Sequence, residues 1–394
     1  MIYLDAHATT PVDPRVLDAM LPFLRDQVGN ASSLDHAAGR RTRDAVDAAR
    51  RQVAALIGAS HKDIVFTSGA TEADNLAIKG VADSAPDRSN RRGDHIVTVA
   101  TEHRAVLDTC RHLAARGCRV TVLPVGADGL IDPAAVEAAL EPRTILVSVM
   151  AANNEIGVLQ PLAAIGRLTR ARGILFHTDA AQAFGRIPLD VNAMGIDLLS
   201  ISAHKIHGPQ GVGALYVRTR QPAVHLAPLF DGGGHERGLR PGTLNAPGIV
   251  GLGAASSIAA TEMVAEAVRL SSLRDRLLDG LRAAIDGVHV NGSLAHRLPH
   301  NLNVSIDGAD ETLASRLDGL AVSAGSACAS GSIEPSYVLR ALGVPAPRAH
   351  GTLRFGLSRF TTAAEIDQAI AIVRDGVERL RAERSTQASS VPRP

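Results

Sequence analysis

The sequence predicts an α/β protein in which a mostly parallel, seven-stranded sheet is flanked by helices and followed by a smaller α+β domain. Two observations carry this. Between residues 64 and 217, short runs rich in Ile, Val and Leu alternate with amphipathic segments, and beyond residue 255 one long helical stretch gives way to scattered short runs. The apolar runs fall at 64–67, 95–100, 119–123, 144–150, 174–178, 197–202 and 213–217. Strands that alternate with helices pair in parallel, because each crossover helix covers a face of the sheet. The segments 105–116 and 162–172 have helical periodicity, and each is closed by a glycine, Gly117 or Gly173, in the position of a helix C-cap. In the second half, 255–284 reads as one helix, 287–291 and 301–306 as strands, 310–317 as a helix and 353–357 as a further strand. The expected division is a large domain over 13–258 and a small one over 259–384, with a disordered tail at 385–394 that has little to bury.

Composition narrows the function classes. Of 394 residues, 45% are hydrophobic and 21% charged, with 41 basic residues against 40 acidic ones. That balance leaves no electrostatic footprint for direct nucleic-acid or membrane binding. Aromatics make up 3% and Trp is absent, which argues further against base-stacking platforms. Cys110, Cys118 and Cys328 are too few and too scattered for a disulfide framework, and no Cys/His cluster has metal-ligand spacing. The first residues lack a basic segment followed by an apolar one, and no run approaches about 18 consecutive apolar residues. A cytoplasmic enzyme without a metal is the expectation.

Chemistry enters where the runs end. The run 197–202 leads into Ser202-Ala203-His204-Lys205, and the run 174–178 leads into Asp179-Ala180-Ala181-Gln182. Ligands of open parallel sheets lie outside the carboxyl ends of the strands, so Lys205 and Asp179 belong at the ends of neighbouring strands. Pyridoxal phosphate needs such a pair: an amine for its aldehyde, and a carboxylate that keeps its pyridine nitrogen protonated so that the ring acts as an electron sink. Thr67-Ser68-Gly69-Ala70-Thr71-Glu72 follows a run and opens a helix, where backbone N–H groups and the Thr71 hydroxyl face an anion. An ordinary helix start capped by Thr71 would use the same residues. Ser202 and His204 would add donors to a phosphate. Thr101-Glu102-His103 and Asn153-Asn154-Glu155 follow two further runs. His103 could stack on a ring and move protons, or simply open a helix. Asn154 and Gln182 could bond a ring oxygen or a substrate carboxylate, or satisfy loop backbone.

Cys328 sits in Ser323-Ala324-Gly325-Ser326-Ala327-Cys328-Ala329-Ser330-Gly331-Ser332, ten residues without one bulky side chain. Such a stretch anchors poorly in a core, which suits a nucleophile that must reach a substrate and then present its product elsewhere. Cys110, among Val106, Leu107 and Leu113, reads as structural, and so does Cys118.

Tyr3-Leu4-Asp5 with Ala8-Thr9-Thr10-Pro11, Thr67-Ser68-Gly69-Ala70-Thr71-Glu72, Asn153-Asn154-Glu155-Ile156-Gly157, His204-Lys205, Gly232-Gly233-Gly234-His235-Glu236-Arg237-Gly238 and Gly325-Ser326-Ala327-Cys328 together resemble the pyridoxal-phosphate cysteine desulfurases. The similarity runs in unbroken order from residue 2 to about residue 383 and is strongest to the housekeeping type that feeds iron–sulfur cluster assembly and tRNA thiolation. The resemblance implies a fold-type-I transferase, a homodimer with a shared active site, and residues 1–12 packed on the small domain. Lys205 would hold the cofactor's aldehyde, Asp179 its ring nitrogen and Gln182 its phenolic oxygen, with His103 stacked as acid/base. Ala70, Thr71, Ser202 and His204 would hold the phosphate together with Thr243 of the partner subunit. Arg354 would take the carboxylate of L-cysteine, and Cys328 would keep its sulfur as a persulfide while alanine leaves. Acceptors of that sulfur would be an iron–sulfur scaffold, a tRNA-thiolation enzyme or a DNA-sulfur system, and the sequence does not choose among them. The rival activities of the same fold are those of an aminotransferase or a selenocysteine lyase; the first would not need Cys328. Ala6-His7 stands where the family varies widely, and no role is expected of it. Ala31 and Pro241 depart from a usual proline and a usual small residue.

Overall fold

The computed structural model describes residues 1–84, 93–220, 222–324 and 335–390. Its central sheet has seven strands in the order β2-β8-β7-β6-β5-β3-β4. In chain order β1 (Ile2–Tyr3) lies elsewhere, and the sheet comprises β2 (Ile64–Thr67), β3 (His95–Val99), β4 (Arg119–Leu123), β5 (Thr144–Ser148), β6 (Leu175–Asp179), β7 (Leu198–Ser202) and β8 (Gly213–Val217). All run parallel except β8, which pairs antiparallel with both β2 and β7. A second sheet is antiparallel in the order β12-β13-β10-β9, formed by β9 (Val288–Val290), β10 (Asn301–Ile306), β12 (Ser323–Ala324) and β13 (Thr352–Gly356). Between them in sequence, β11 (Leu320–Ala321) pairs with β1, so the chain's first residues join the C-terminal half.

Helices α1 (Pro14–Arg25), α2 (Ala37–Ala55), α3 (Ala70–Asp83), α4 (Arg104–Ala115), α5 (Pro133–Ala139) and α6 (Leu162–Ala171) accompany the large sheet. Then α7 (Ala246–Ala284) crosses to the second sheet, followed by α8 (Tyr337–Ala341), α9 (Ala346–His350) and α10 (Ala363–Ser390). The helices before β4 and β6 end as their sequence requires: Gly117 at φ 93° and Gly173 at φ 66° occupy the left-handed region that an L side chain resists. Two faces of the large sheet carry separate apolar cores, one around Phe66, Val97, Val147, Phe176 and Ile201, the other around Val65, Ile96, Leu146 and Leu215. Alternate residues of one strand thus serve opposite faces. A further core gathers Ile2, Leu4, Leu277, Leu302, Phe355 and Val373.

Three elements differ from the sequence expectation. The long helix begins at Ala246 rather than 255, with Asn245 accepting the Gly248 N–H as its cap. Gly248, Gly251 and Gly253 dilute the apolar pattern there but allow close packing: a Cβ at Gly253 would lie 2.6 Å from the Ala49 Cα of α2. This helix also has the length and apolar composition of a membrane span, yet Ile249, Leu252, Ala255 and Ala259 are buried inside the protein. Residues 310–317 form no α-helix, only a 3-10 turn at Ala314–Arg316, preceded by a local turn in which the Asp310 carboxylate accepts the N–H and the hydroxyl of Thr312. Finally, α10 continues to Ser390 through 385–390, the start of the expected tail; extending a nucleated helix adds one bond per residue fixed.

A Cβ at Gly166 in α6 would come within 1.9 Å of the Met194 carbonyl oxygen. Gly166→Ala should therefore lower stability by about 1–3 kcal/mol, measured by denaturant unfolding. An unchanged midpoint would show that α6 does not pack this closely on the turn before β7.

Candidate active site

The carboxyl ends of β2, β3, β5, β6 and β7 open on one cleft of about 520 Å³, closed on its far side by the N-terminal segment and by β13. At one end, Ser68, Gly69, Ala70 and Thr71 line it. Gly69 is the N-cap of α3 and makes no side-chain bond, which leaves the first N–H groups of the helix to an anion. Thr71 lies inside the helix and does not cap it, so the capping alternative does not apply. The turn is braced by two carboxylates: Glu72 accepts the Ser68 N–H at 2.8 Å and Arg240 Nε at 3.0 Å, while the buried Glu236 accepts the Phe66 N–H and both terminal guanidinium nitrogens of Arg50.

Ser202, His204 and Lys205 follow β7 into the same cleft. Lys205 Nζ donates to the carbonyls of His7 and Ala8, the latter at 2.7 Å. Burial and the neighbouring Lys205 charge lower the His204 imidazole to about 4, so it is neutral at pH 7. Asp179 ends β6 and accepts the Ala181 N–H at 2.8 Å. Burial raises its carboxyl, and the nearby His103, that N–H and Lys205 pull it back down. His103 is the N-cap of α4; its Nδ1 accepts the Ala105 N–H, which places the proton of the neutral ring on Nε2. Asn154 reaches the cleft from the turn after β5, and its buried Oδ1 has no partner among the described residues.

Arg354 enters from β13. Its Nη1 donates to the Asn154 carbonyl at 3.0 Å, and its Nη2 to Asp5 at 2.8 Å and to Ser323 at 2.9 Å. The next residue of the β5 turn, Glu155, is buried and accepts the Ser336 hydroxyl at 2.5 Å. Burial pushes this carboxyl up to about 7, against that hydroxyl and the Arg354 charge.

Sequence reasoning missed His7. It is 1% exposed, shares a 2.9 Å bond with Gln182 Oε1, meets Asn301 through Nε2, and stacks on His300 with ring centroids 4.5 Å apart. Gln182 lines the cleft as expected, but its amide is bidentate on His7, donating to that residue's carbonyl as well. No local pattern marks position 7, since its partners are 175 and 294 residues away. Thr243, expected to serve the partner subunit's site, is exposed and does not line this cleft, and Cys328 falls outside the described residues.

A larger hollow, about 910 Å³, runs beside α2 and is lined by Arg43, Arg50, Arg51, Lys62 and Arg237. It meets the sheet at Ile64, the start of a strand rather than a carboxyl end. The smaller cleft is the site by position and by chemistry. Its donors fit pyridoxal phosphate: an amine, a buried carboxylate for the pyridine nitrogen, and an uncapped helix start with hydroxyl and imidazole groups for the phosphate.

Residues 2–369 match the family model of the class-V aminotransferases. A cysteine desulfurase IscS of Anaeromyxobacter dehalogenans is 57% identical over 383 residues, covering 96% of this chain and 93% of the relative. Among solved structures, a NifS-like protein aligns with a TM-score of 0.88 at 37% identity, covering 96% of this chain and 99% of its own. SspA in complex with cysteine aligns with a TM-score of 0.81, also at 37% identity, over 92% of this chain and 100% of its own.

Directly below the cleft, His177 of β6 is buried between Ser148 of β5 at 2.8 Å and Ser200 of β7 at 3.0 Å. Burial lowers its imidazole to about 3. Between pH 6.5 and 3 only the unfolded chain protonates this ring, so its contribution is complete above pH 6.5 and is lost as pH falls, at about 1.4 kcal/mol per unit. Unfolding by denaturant at pH 7 and pH 5.5 should show a shallower acid loss for His177→Gln than for the parent protein. Equal losses would mean that the ring is charged in the fold.

Proposed function

The chain belongs to the class-V aminotransferases and, within them, to the cysteine desulfurases; from that premise we propose how its own residues convert L-cysteine to L-alanine and hold the sulfur on Cys328. The observation that carries this is the convergence of Lys205, Asp179, His103 and Arg354 on one cleft at the carboxyl end of the large sheet. Pyridoxal phosphate, when bound, supplies an electron sink for negative charge on the substrate. Asp179 would hold its ring nitrogen, His103 would lie against its ring, and Ala70, Thr71, Ser202 and His204 would hold its phosphate. Arg354 binds the substrate carboxylate through the Nη1 hydrogen that it does not give to the Asn154 carbonyl, and the Asn154 side-chain amide donates beside it. Lys205 Nζ takes the substrate's α-proton. Gln182 reaches the phenolic oxygen with its remaining amide hydrogen.

The Cys328 thiolate then attacks the substrate sulfur. A sulfur–sulfur bond forms and the substrate's carbon–sulfur bond breaks, its electron pair staying with carbon, which is reprotonated to alanine. Summed, L-cysteine and one protein thiol become L-alanine and one protein persulfide. An iron–sulfur scaffold or a tRNA-thiolation enzyme then takes the sulfur, in the cytoplasm, where thiols stay reduced.

The active form is a homodimer in which Thr243 of each subunit completes the phosphate site of the other. Its support is a stripe on α1, where Leu17, Leu21 and Leu24 are 49, 41 and 60% exposed on one helical face, continued by Val28 and Leu34. Such a patch calls for a partner surface.

Cys328→Ser should keep the yellow colour of bound pyridoxal phosphate yet fall to background in alanine release from cysteine. Lys205→Ala should lose that colour and its turnover together. Alanine release at the parent rate by either variant would overturn the assigned role of that residue. Dimer mass in solution should fall on replacing Leu17 and Leu21 by Glu; an unchanged mass would place the interface elsewhere.

A further inference from the structure

The turn after β5 holds two things at once. The carbonyl of Asn154 accepts Arg354 Nη1, whose other terminal nitrogen grips the Ser323 hydroxyl at 2.9 Å. The carboxylate of the adjacent Glu155 accepts the Ser336 hydroxyl at 2.5 Å. Ser323 and Ser336 stand on either side of residues 325–334, the stretch in which Cys328 occurs. Ser323, through Arg354, and Ser336 are therefore tied to neighbouring residues of one turn.

We propose that the Asn154–Glu155 turn is a positioning element for sulfur transfer, with Glu155 acting through Ser336, which follows the stretch that carries Cys328 in sequence. The proposal rests on the reading of Cys328 as the sulfur acceptor. The turn is well placed to be a fixed point. The Glu155 carbonyl accepts Asn301 Nδ2 at 3.1 Å and Asn303 Nδ2 at 3.2 Å from β10, and the Asn153 side chain accepts the N–H groups of Glu155 and Ile156. Ser336 in turn accepts the N–H groups of Val338 and Leu339 at the start of α8. Its single hydroxyl proton is thus directed at Glu155 while its lone pairs hold the helix. Removing the carboxylate releases the Ser336 hydroxyl, while the hydrogen bonds of Arg354 to Asn154, Asp5 and Ser323 do not involve it.

The two halves of the reaction separate this role from a general structural one. Exchange of the alanine α-proton in heavy water needs Lys205 and the bound cofactor but no sulfur chemistry, whereas persulfide formation on Cys328 needs both. In the pyridoxal-phosphate-loaded dimer, Glu155→Ala and Ser336→Ala should slow single-turnover persulfide formation about tenfold or more, with α-proton exchange at the parent rate. Ser336→Thr, which keeps the hydroxyl, should restore persulfide formation, and it tests the link even if Glu155→Ala fails to fold. Parent-rate persulfide formation in Ser336→Ala, or an equal fall in both reactions, would overturn the proposal. If the parent protein itself exchanges no α-proton, the cofactor reading fails; if it exchanges but Cys328→Ser still forms alanine from cysteine, the Cys328 reading fails. Each result is distinct from a failure of the Glu155 link, and either takes the proposal with it.

Discussion

The segment from Asp5 to Thr10 is the joint on which the site depends, because it lies between the two sheets and pairs with polar groups from both. Toward the large sheet, its carbonyls at His7 and Ala8 receive Lys205 Nζ, and Thr10 exchanges bonds with the backbone of His204 and His207. Toward the second sheet, His7 meets Asn301 and Asp5 meets Arg354. Each such bond contributes only about 0.5–1.5 kcal/mol net, but a buried group that loses its partner costs about 1–3 kcal/mol. The segment cannot withdraw without stranding donors on both sides. Arg354 therefore reaches the cleft in a fixed orientation, although it belongs to a strand outside the large sheet.

A second joint acts in parallel. Arg186 is buried and donates to the Lys205 carbonyl at 2.7 Å, while its other terminal nitrogen meets Glu266 of α7 at 2.6 Å. Glu266 also pairs with Arg359, which pairs with Asp13 at the start of α1. Burial lowers the Arg186 guanidinium to about 10, so desolvation offsets much of the ionic attraction. Such a network adds little to stability but has few alternative geometries. It ties the backbone of Lys205 to α7, a helix that contributes to the cores of both sheets.

The large sheet was legible because its strands are short, apolar and separated by strong punctuation; β2, β4 and β8 fall at the residues the pattern marks. The chemical groups at its carboxyl ends were legible for the same reason, since a strand end is a local feature with a known relation to ligands. What escaped were positions defined by distant partners. His7 has an unremarkable neighbourhood in sequence and acquires its place from Gln182 and Asn301, and Glu155 acquires its own from Ser336, 181 residues away. Composition likewise hid the first two turns of α7, where glycines that weaken a helical pattern are the residues that let α2 approach.

Below the cleft lies a layer of buried carboxyls, and their environments divide them. Asp74 and Glu102 are fully buried, and burial raises both well above the ordinary range, with the charge of Asp179 raising them further. Asp179 alone of the three has His103 and Lys205 to favour its ionised form. Burial favours the neutral form of all three carboxyls, and the one that faces the cleft is the one that neighbouring positive charge draws back toward ionisation. Like charges in one low-dielectric layer cannot all ionise. Of the three, Asp179 is the carboxyl that lines the cleft and so the one placed to answer a cation bound there.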